Sequence, residues 1–367
     1  MTVIAVTGVG GFVGMHVRAV MAERGDTLIR LPLGSRFDAS QACNALEKAD
    51  RVIHLAAVIR GSENEIVNGN ELMTGQLLSA LRACAQPPSV MTYASTVAVD
   101  RSGAYGQAKR RAGERLAAYC RSAGVVWDEV LLPNLFGEFG RPDHNSVVAT
   151  FCHRIARGLM PEVIEDRELD LLHGQDAAER LLGVICEETS RERRATISVS
   201  QIRDRLMGMN RICEGGEIPD IAAKFDRDLF NTLRSARFPE RGVFPLTVHS
   251  DERGGFFEGF RSRGGSGQTS VSTTNPGVVR GEHFHRRKVE RFLVIEGEAR
   301  IGLRPLGGDL PTYINVSGET PLVVDIPTLV VHNLENVGTG SLTTLFWTDD
   351  LFDPKSPDTV PDKVAYP

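Results

Sequence analysis

The chain has 367 residues, a length at which one hydrophobic core usually gives way to two, so two domains are expected. Its 42 Lys and Arg against 47 Asp and Glu give a formal charge of -5, which excludes a strongly basic surface for nucleic acid or anionic lipid. Its apolar runs fall far short of the ~20 residues that a membrane-spanning helix needs. No secretory leader is recognisable, so we expect a cytoplasmic protein with neither nucleic acid nor membrane as a partner.

The first half of the chain alternates short β-rich runs with amphipathic stretches, which is typical of an α/β domain with a parallel sheet. The candidate strands are residues 2–7, 27–31, 51–57, 90–95 and 125–132. Apolar residues at helical spacing fill the intervals, and Gly25 and Gly124 are placed to end two of the helices. This pattern predicts a Rossmann-like, doubly wound parallel sheet.

From about residue 240 the chain consists of short strands separated by Gly, Pro, Asn and Asp, which predicts an all-β sandwich or small barrel. The stretch from about 191 to 240 has mixed charge and is expected to form helical pieces that bridge the two regions. The predicted domains are therefore residues 1–241 and 242–367.

A glycine-rich turn, TGVGGFVG, follows the first predicted strand and opens the first predicted helix. Gly8 permits a tight turn, Gly11 lets a pyrophosphate approach the backbone, and Gly14 lets the helix pack closely on the sheet. Phosphates would then lie at the positive end of the helix dipole. A glycine-rich turn can also be only a turn, so the strand before it and the helix after it are what favour a dinucleotide site.

The end of the second strand indicates which dinucleotide is bound. An NAD-preferring domain usually has an acidic residue there to hold the ribose 2′-hydroxyl, whereas this chain has Leu33 and Gly34. Arg36 follows and would pair with a 2′-phosphate, so NADPH is favoured over NADH. An exposed loop arginine with no ligand is the alternative.

Tyr105 and Lys109 form a YxxxK pattern, which places both side chains on one face of a helix, one turn apart. An ammonium beside a phenol favours the phenolate and is expected to lower the tyrosine pKa toward neutrality, which suits proton transfer. Ser95 and Thr96 end the preceding strand and offer a hydroxyl to the same substrate oxygen. The pattern alone is common, but this combination points to carbonyl chemistry.

The second domain contains a group of potential metal ligands. On a strand, His283 and His285 would point to the same face, and Glu290 from the adjoining strand would add a carboxylate. His332 supplies a fourth ligand, and such a set suits a divalent metal, with zinc expected. Two exposed histidines near a turn are the alternative.

The first 190 residues resemble the extended short-chain dehydrogenase/reductases. The resemblance is carried by TGVGGFVG, HLAA (54–57), YASTVAV (93–99), YGQAK (105–109) and LPNLFGEFG (132–140). It implies that Tyr105 is the acid/base and that Lys109 assists Tyr105 and the nicotinamide ribose. It also implies that a hydroxyl, placed by register on Thr96 with Ser95 as neighbour, polarises the carbonyl.

The same resemblance implies the cofactor and substrate contacts. The expected cofactor-binding residues are Gly8, Gly11, Phe12, Gly14, Arg36, Leu55, Ala56, Ala57, Tyr105 and Lys109. Asn134 is expected near the substrate. Val97 and Ala98 replace the Asp-Glu pair of the related dehydratases, which favours simple carbonyl reduction. Leu131 and Leu132 stand where the family has an arginine.

The second domain resembles the cupins, which are jelly-roll barrels. Gly277, His283, His285, Glu290 and Gly297 match the first cupin motif, and Pro327, His332 and Asn336 match the second. Leu329 replaces the glycine that is usual in the second motif.

Two segments, 251–260 and 277–286, also resemble the cupins that epimerise nucleotide sugars. In those enzymes the histidine corresponding to His283 is the general base that removes a proton beside the sugar ketone. A metal-bound His283 cannot also be a free base, so both roles stay open. Arg280 is expected to stabilise the enolate.

Nearly the whole chain resembles the CapF-type capsular polysaccharide enzymes, most specifically in residues 132–158 and 323–338. The resemblance implies a bifunctional enzyme that epimerises a UDP-linked 4-keto-6-deoxy-N-acetylhexosamine at C3 and reduces its C4 ketone with NADPH. It also implies a homodimer or higher homo-oligomer. The alternatives are a plain ketosugar reductase with a non-catalytic cupin used for dimerisation, and a non-enzymatic NADPH sensor, which would not need Tyr105 and Lys109.

Overall fold

The computed structural model describes residues 1–100, 103–252 and 254–366. These residues form two compact units, Met1–Leu135 with Asp170–Thr196, and Phe136–Leu169 with Ile197–Pro367. The predicted boundary between residues 241 and 242 lies inside the second unit, and the division into domains 1–241 and 242–367 stays a prediction. Arg253, within one of the segments that carry the epimerase resemblance, lies outside the described residues.

A five-stranded sheet in the order β2-β1-β3-β4-β5 organises the first unit. Its strands are β1 (Val3–Thr7), β2 (Thr27–Arg30), β3 (Arg51–His54), β4 (Val90–Thr96) and β5 (Val126–Leu132). Every neighbouring pair is parallel, as predicted. The strand order reverses between β1 and β3, and in open α/β sheets the ligand binds beyond the carboxyl ends of the strands at that point.

Helices cover both faces of this sheet. The α-helices of the chain are α1 (Phe12–Arg24), α2 (Ala39–Glu47), α3 (Glu63–Ala83), α4 (Ala104–Ala123), α5 (Val147–Ala156), α6 (Gly174–Leu181), α7 (Glu187–Glu192), α8 (Val199–Glu214) and α9 (Lys224–Arg237). Ala5 and Val52 face α2, α3 and α4, whereas Ile4 and Ile53 face α1 and α6, because successive strand residues point to opposite sides. Within the described residues, no helix is both long enough and apolar enough to cross a bilayer.

The second unit contains two five-stranded antiparallel sheets, in the orders β12-β19-β14-β17-β9 and β16-β15-β18-β13-β20. The strands that follow β5 are β6 (Asn134–Phe136), β7 (Glu168–His173), β8 (Ala195–Ser198), β9 (Val243–Pro245), β10 (His249–Asp251), β11 (Gly254–Phe256), β12 (Gln268–Thr274), β13 (Val279–Phe284), β14 (Glu290–Glu296), β15 (Glu298–Pro305), β16 (Thr312–Ser317), β17 (Leu322–Ile326), β18 (Val330–Asn336), β19 (Leu342–Thr348) and β20 (Val360–Pro361). Side chains of both sheets, such as Val294 and Ile301, share one core. The antiparallel β region is confirmed, and its assignment as a cupin jelly roll stays a prediction.

A buried charge network joins α9 to these sheets. Arg234 of α9 donates hydrogen bonds to the backbone carbonyls of Glu290 (3.0 Å) and Ile326 (2.8 Å) and lies 3.6 Å from the Asp325 carboxylate. Arg291 binds the same carboxylate at 2.6 Å. Burial alone would raise the pKa of Asp325, but the charges of Arg291 and Arg234 hold it below its usual value. The predicted bridging helices are therefore packed against the β region.

Replacing Asp325 with Ala should lower the free energy of unfolding by about 3–5 kcal/mol, because two buried guanidinium groups lose their carboxylate. Denaturant unfolding followed by circular dichroism measures the change. Glu335→Ala, which breaks an exposed 2.6 Å pair with Arg300, is the matched control and should cost less than about 1 kcal/mol. Equal costs for the two variants would contradict a structural role for the buried network.

Candidate functional site

The glycine-rich turn joins β1 to α1 through contacts that only glycine permits. Gly8 has a left-handed backbone (φ 69°), and a Cβ there would lie 2.7 Å from the backbone nitrogen of Ala56. A Cβ on Gly14 would lie 2.5 Å from a carbonyl oxygen of the turn itself. The Gly11 amide donates to the Gly8 carbonyl at 3.0 Å, and the half-buried Phe12 opens α1. The turn thus touches the residues after β3, at the point where the strand order reverses.

Thr7, the last residue of β1, positions the HLAA segment. Its hydroxyl oxygen accepts hydrogen bonds from the amides of Leu55 (3.0 Å) and Ala56 (3.1 Å) and lies 2.8 Å from Nδ1 of His54. Since both lone pairs are in use, the hydroxyl proton is donated to His54. Burial, assisted by the charge of Lys109, lowers the pKa of His54 to about 3, so His54 stays neutral. Leu55, Ala56 and Ala57 are thereby held beside the glycine turn.

Tyr105 and Lys109 lie in the first turns of α4, and burial shifts the pKa of both. Lys109 is 3% exposed, and its Nζ donates to the Ala94 carbonyl at 2.7 Å and lies 4.7 Å from the Tyr93 ring centroid. Burial lowers the pKa of Lys109 to about 8 and raises the pKa of Tyr105 to about 12. The predicted lowering of the tyrosine pKa was wrong in direction, because burial disfavours the charged phenolate.

Two hydroxyls end β4. Ser95 is buried, and its Oγ has no hydrogen-bond partner among the described residues. Thr96 is half-buried, and its Oγ1 accepts a hydrogen bond from the Ala98 amide at 3.2 Å, which leaves its own proton for donation. Both hydroxyls are chemically able to donate to a carbonyl oxygen, and the choice of Thr96 stays a prediction.

Arg36 and Asn134, the predicted cofactor and substrate contacts, are both exposed. Arg36 lies at the end of a short turn that begins at Gly34. The Gln76 side chain of α3 holds this turn, because it accepts from the Gly34 amide (2.7 Å) and donates to the Gly34 carbonyl (3.1 Å). Asn134 is exposed, and its side-chain amide donates to the Asp170 carbonyl at 3.2 Å. Their cofactor and substrate roles stay predictions.

The four predicted metal-ligating residues lie together in the second unit. Ligand atoms of His283, His285 and His332 are all within 4.8 Å of one another. Oε2 of Glu290 lies 3.1 Å from Nε2 of His285 and 3.3 Å from Nε2 of His332. His283, Glu290, His332 and Arg280 line a cavity of about 240 Å³ between the two antiparallel sheets.

A β-bulge in β13 brings His283 to this cluster. The register pairs Gly281 with Asn333 and then His283 with His332, so Glu282 is the extra residue. Gly281 (φ 99°) and Glu282 (φ 61°) both have left-handed backbone, and a Cβ on Gly281 would lie 2.8 Å from the His332 carbonyl oxygen. The side-chain amide of Asn333 donates to the Glu282 carboxylate at 2.6 Å and helps to stabilise the bulge. A regular strand would instead place Glu282 opposite His332.

Backbone carbonyls set the tautomers of two histidines. Nδ1 of His285 lies 2.5 Å from the Asp358 carbonyl, and Nδ1 of His332 lies 3.1 Å from the Val330 carbonyl. A carbonyl only accepts, so each Nδ1 carries a proton, and in a neutral imidazole Nε2 presents a lone pair to the Glu290 carboxylate. Three acceptor atoms that converge in this way need a positive charge between them, either a proton on a histidine or a metal ion. Two imidazoles and a carboxylate, with a third imidazole beside them, fit a divalent metal such as zinc.

The charge states of the cluster follow from the same contacts. Burial, together with the charges of His332 and His285, lowers the pKa of His283 to about 3, so His283 is neutral. Burial would also lower the pKa of His285, but the charge and hydrogen bond of Glu290 raise it. Burial would raise the pKa of Glu290, yet His285 and His332 hold it well below its usual value. A proton and a metal therefore compete for the same acceptors.

Asp358 was missed by sequence reasoning. Its carboxylate accepts hydrogen bonds from the amides of Arg286 (3.0 Å), Arg287 (2.9 Å) and Lys288 (2.9 Å), while its carbonyl binds His285. It thus positions the turn that follows His285. No spacing motif signals this role, because Asp358 is 73 residues from His285.

Leu329, which replaces the usual glycine of the second motif, keeps the glycine-like backbone. Its φ is 59°, and its side chain is fully buried. Its amide donates to the His285 carbonyl at 2.8 Å, which helps to stabilise the left-handed conformation. The departure from the motif therefore leaves the turn before His332 intact.

Two family models match this chain. Residues 4–197 match the NAD dependent epimerase/dehydratase family, and residues 249–360 match the polysaccharide biosynthesis C-terminal domain. The first match covers more than half of the chain, so the chain belongs to the NAD dependent epimerase/dehydratase family. Membership of this family points to a nicotinamide cofactor.

The relatives cover both units. A UDP-2-acetamido-2,6-beta-L-arabino-hexul-4-ose reductase of Pseudomonas aeruginosa is 30% identical over 364 residues, which is 97% of each chain. The spore coat polysaccharide biosynthesis protein SpsL of Bacillus subtilis is 31% identical over 125 residues, which is 32% of this chain and 83% of its own. The crystal structure of the capsular polysaccharide assembling protein CapF from Staphylococcus aureus has 28% identity and a TM-score of 0.61, covering 98% of this chain and 99% of that one. The resemblance to CapF-type enzymes is confirmed, and the chain is a nucleotide-sugar enzyme of the reductase/epimerase type.

The purified protein should carry about one zinc-like ion per chain, because three imidazoles and the Glu290 carboxylate offer it four grouped ligand atoms. Elemental analysis measures the content, and His332→Ala should lower it to about one fifth or less and reduce the melting temperature. His249→Ala, which removes an exposed histidine of β10, should change neither value. Metal-free wild-type protein with an unaffected His332→Ala variant would show that the cluster is not a metal site.

Proposed function

We propose that this chain is a bifunctional nucleotide-sugar enzyme that inverts C3 of a UDP-linked 4-keto-6-deoxy-N-acetylhexosamine and then reduces the C4 ketone with NADPH. The observation that carries the proposal is the presence of two chemically different sites in one chain. The first unit has the glycine turn, Tyr105 and Lys109. The second has a cavity lined by histidine and glutamate side chains of the kind that bind metals. The likeness to a reductase of a UDP-2-acetamido-hexul-4-ose over 97% of the chain supports this substrate class.

In the reduction, Tyr105 acts as the proton donor. Its pKa of about 12 keeps the phenol protonated at neutral pH, so it delivers a proton to the ketone oxygen. NADPH, when bound, supplies the hydride to the ketone carbon. The Lys109 ammonium stabilises the phenolate that is left, and the hydroxyl of Thr96 or Ser95 donates a hydrogen bond to the ketone oxygen. Arg36 is proposed to bind the 2′-phosphate that distinguishes NADPH.

In the epimerisation, His283 acts as the base. It is neutral and only half-buried, whereas His285, Glu290 and His332 are buried, so it is the imidazole most open to the cavity. It removes the C3 proton beside the ketone, and reprotonation from the opposite face inverts the centre. A divalent cation held by the other three residues would favour the enolate. The Arg280 guanidinium, which lines the cavity, stabilises the same negative charge.

Replacing Tyr105 with Phe should slow NADPH oxidation with the 4-ketosugar by about 100-fold or more, because the proton donor is lost. Absorbance of NADPH measures the rate. The same variant should still exchange the C3 proton in heavy water, as seen by mass spectrometry of the recovered sugar. Near-normal NADPH oxidation would refute the role of Tyr105.

Replacing His283 with Asn should give the reverse result, with loss of deuterium uptake at C3 and slow residual NADPH oxidation. Metal content, measured in the same sample, separates the two roles of His283. If His283 is the base, the variant keeps its metal, whereas if His283 is a ligand, the metal content falls. The intact chain is required, because a fragment from residue 242 would lack Arg234 and leave Asp325 with one arginine fewer. Absence of deuterium uptake in wild-type protein would refute the epimerase activity and favour a plain reductase.

The rate of NADPH oxidation should fall above pH of about 8, because Lys109 has a pKa of about 8 and its charged form is the active one. The fall approaches tenfold per pH unit. In the Lys109→Arg variant the guanidinium stays charged up to a pH of about 12, so this fall should disappear even if the rate itself is lower. A wild-type rate that is constant to pH ~9.5 would contradict the assignment.

A further inference from the structure

One wall of the second-unit cavity is built by β12, β19 and β14. Ser272 pairs directly with Thr344, and Phe292 pairs directly with Phe346. Since directly paired residues share a face and side chains alternate along a strand, these four side chains point to the same side as Glu290. All of them line the cavity that contains the histidine cluster.

Thr344 has an unexplained hydroxyl on this wall. The residue is 2% exposed, and its Oγ1 has no hydrogen-bond partner in the part of the chain that the structure describes. An unpaired buried hydroxyl is unfavourable, and valine would fill the same space without that cost. A group that enters the cavity from outside the chain would pair with this hydroxyl.

The wall offers a specific combination of contacts. Ser272 and Thr344 place two hydroxyls opposite each other on neighbouring strands, one half-buried and one buried. The rings of Phe292 and Phe346 lie beside them with centroids 5.8 Å apart. An acetamido group has one hydrogen-bond acceptor, one donor and one methyl group, which match these hydroxyls and rings.

We propose that Thr344 and Ser272, backed by Phe292 and Phe346, form the subsite that binds the acetamido group of the substrate at C2, next to the carbon from which His283 removes the proton. The Thr344 hydroxyl donates to the amide carbonyl, and the Ser272 oxygen accepts from the amide N–H. The acetyl methyl packs on the two rings. This inference rests on the proposed epimerisation and names the residues that select its substrate.

Deuterium uptake at C3, measured without NADPH, tests the subsite on two substrates, the 2-acetamido 4-ketosugar nucleotide and its 2-hydroxy counterpart. Wild-type protein should exchange the acetamido sugar with at least about tenfold higher kcat/KM, because the 2-hydroxy sugar leaves the hydroxyls poorly paired. Thr344→Val should lower kcat/KM for the acetamido sugar by about 10- to 100-fold and for the 2-hydroxy sugar by less than about threefold. Thr344→Ser, which keeps the hydroxyl, should retain most of the preference.

Thr274→Val is the matched control, because Thr274 of β12 is equally buried, with an unpaired Oγ1 among the described residues, yet does not line the cavity. It should leave both exchange rates unchanged. An unchanged preference in Thr344→Val, or an equal loss on both sugars with normal metal content, would overturn the acetamido subsite while leaving the epimerase activity standing. Absence of exchange on either sugar by wild-type protein would refute the epimerase activity and the subsite together.

Discussion

One constraint dominates the second unit, the convergence of three acceptor atoms. They are Nε2 of His285, Nε2 of His332 and Oε2 of Glu290. Oε2 of Glu290 lies 3.1 Å from Nε2 of His285 and 3.3 Å from Nε2 of His332. The Nδ1–H groups of both histidines donate to the backbone carbonyls of Asp358 and Val330, so a neutral histidine has no proton to place between Nε2 and the carboxylate. Such an arrangement is stable only with a positive charge at its centre. The bulge at Glu282, the turn at Leu329 and the contacts of Asp358 hold the side chains in this geometry.

The supports of the cluster come from distant parts of the chain. Arg234 of α9 donates to the backbone carbonyl of Glu290, and the Asp325 carboxylate pairs with both Arg234 and Arg291. Asp358 binds three consecutive amides after His285. These contacts explain why the compact unit that contains the β sheets also contains helices that precede residue 242.

Burial is the main cause of the pKa shifts of Lys109, Tyr105 and His283. In the first unit it lowers the pKa of Lys109 and raises that of Tyr105, so the phenol is a proton donor at neutral pH. In the second unit it lowers the pKa of His283 and keeps this imidazole neutral. The same physical effect, the cost of charging a group out of water, thus acts on the phenol of the first unit and on the imidazole of the second.

The sequence by itself was enough to predict the elements whose signals are local. The parallel strands, the ends of α1 at Gly25 and α4 at Gly124, and the glycine turn depend on periodicity and on residues close in the chain. The structure has these elements close to where they were predicted, except that the strand predicted over 51–57 ends at His54. The tertiary structure alone decided which residues become neighbours across the chain. The bulge at Glu282 places His283 opposite His332, Asp358 reaches His285 across 73 residues, and burial reverses the expected direction of the Tyr105 pKa shift. Register, long-range hydrogen bonds and exclusion of water arise only when distant segments pack together, and no local pattern encodes them.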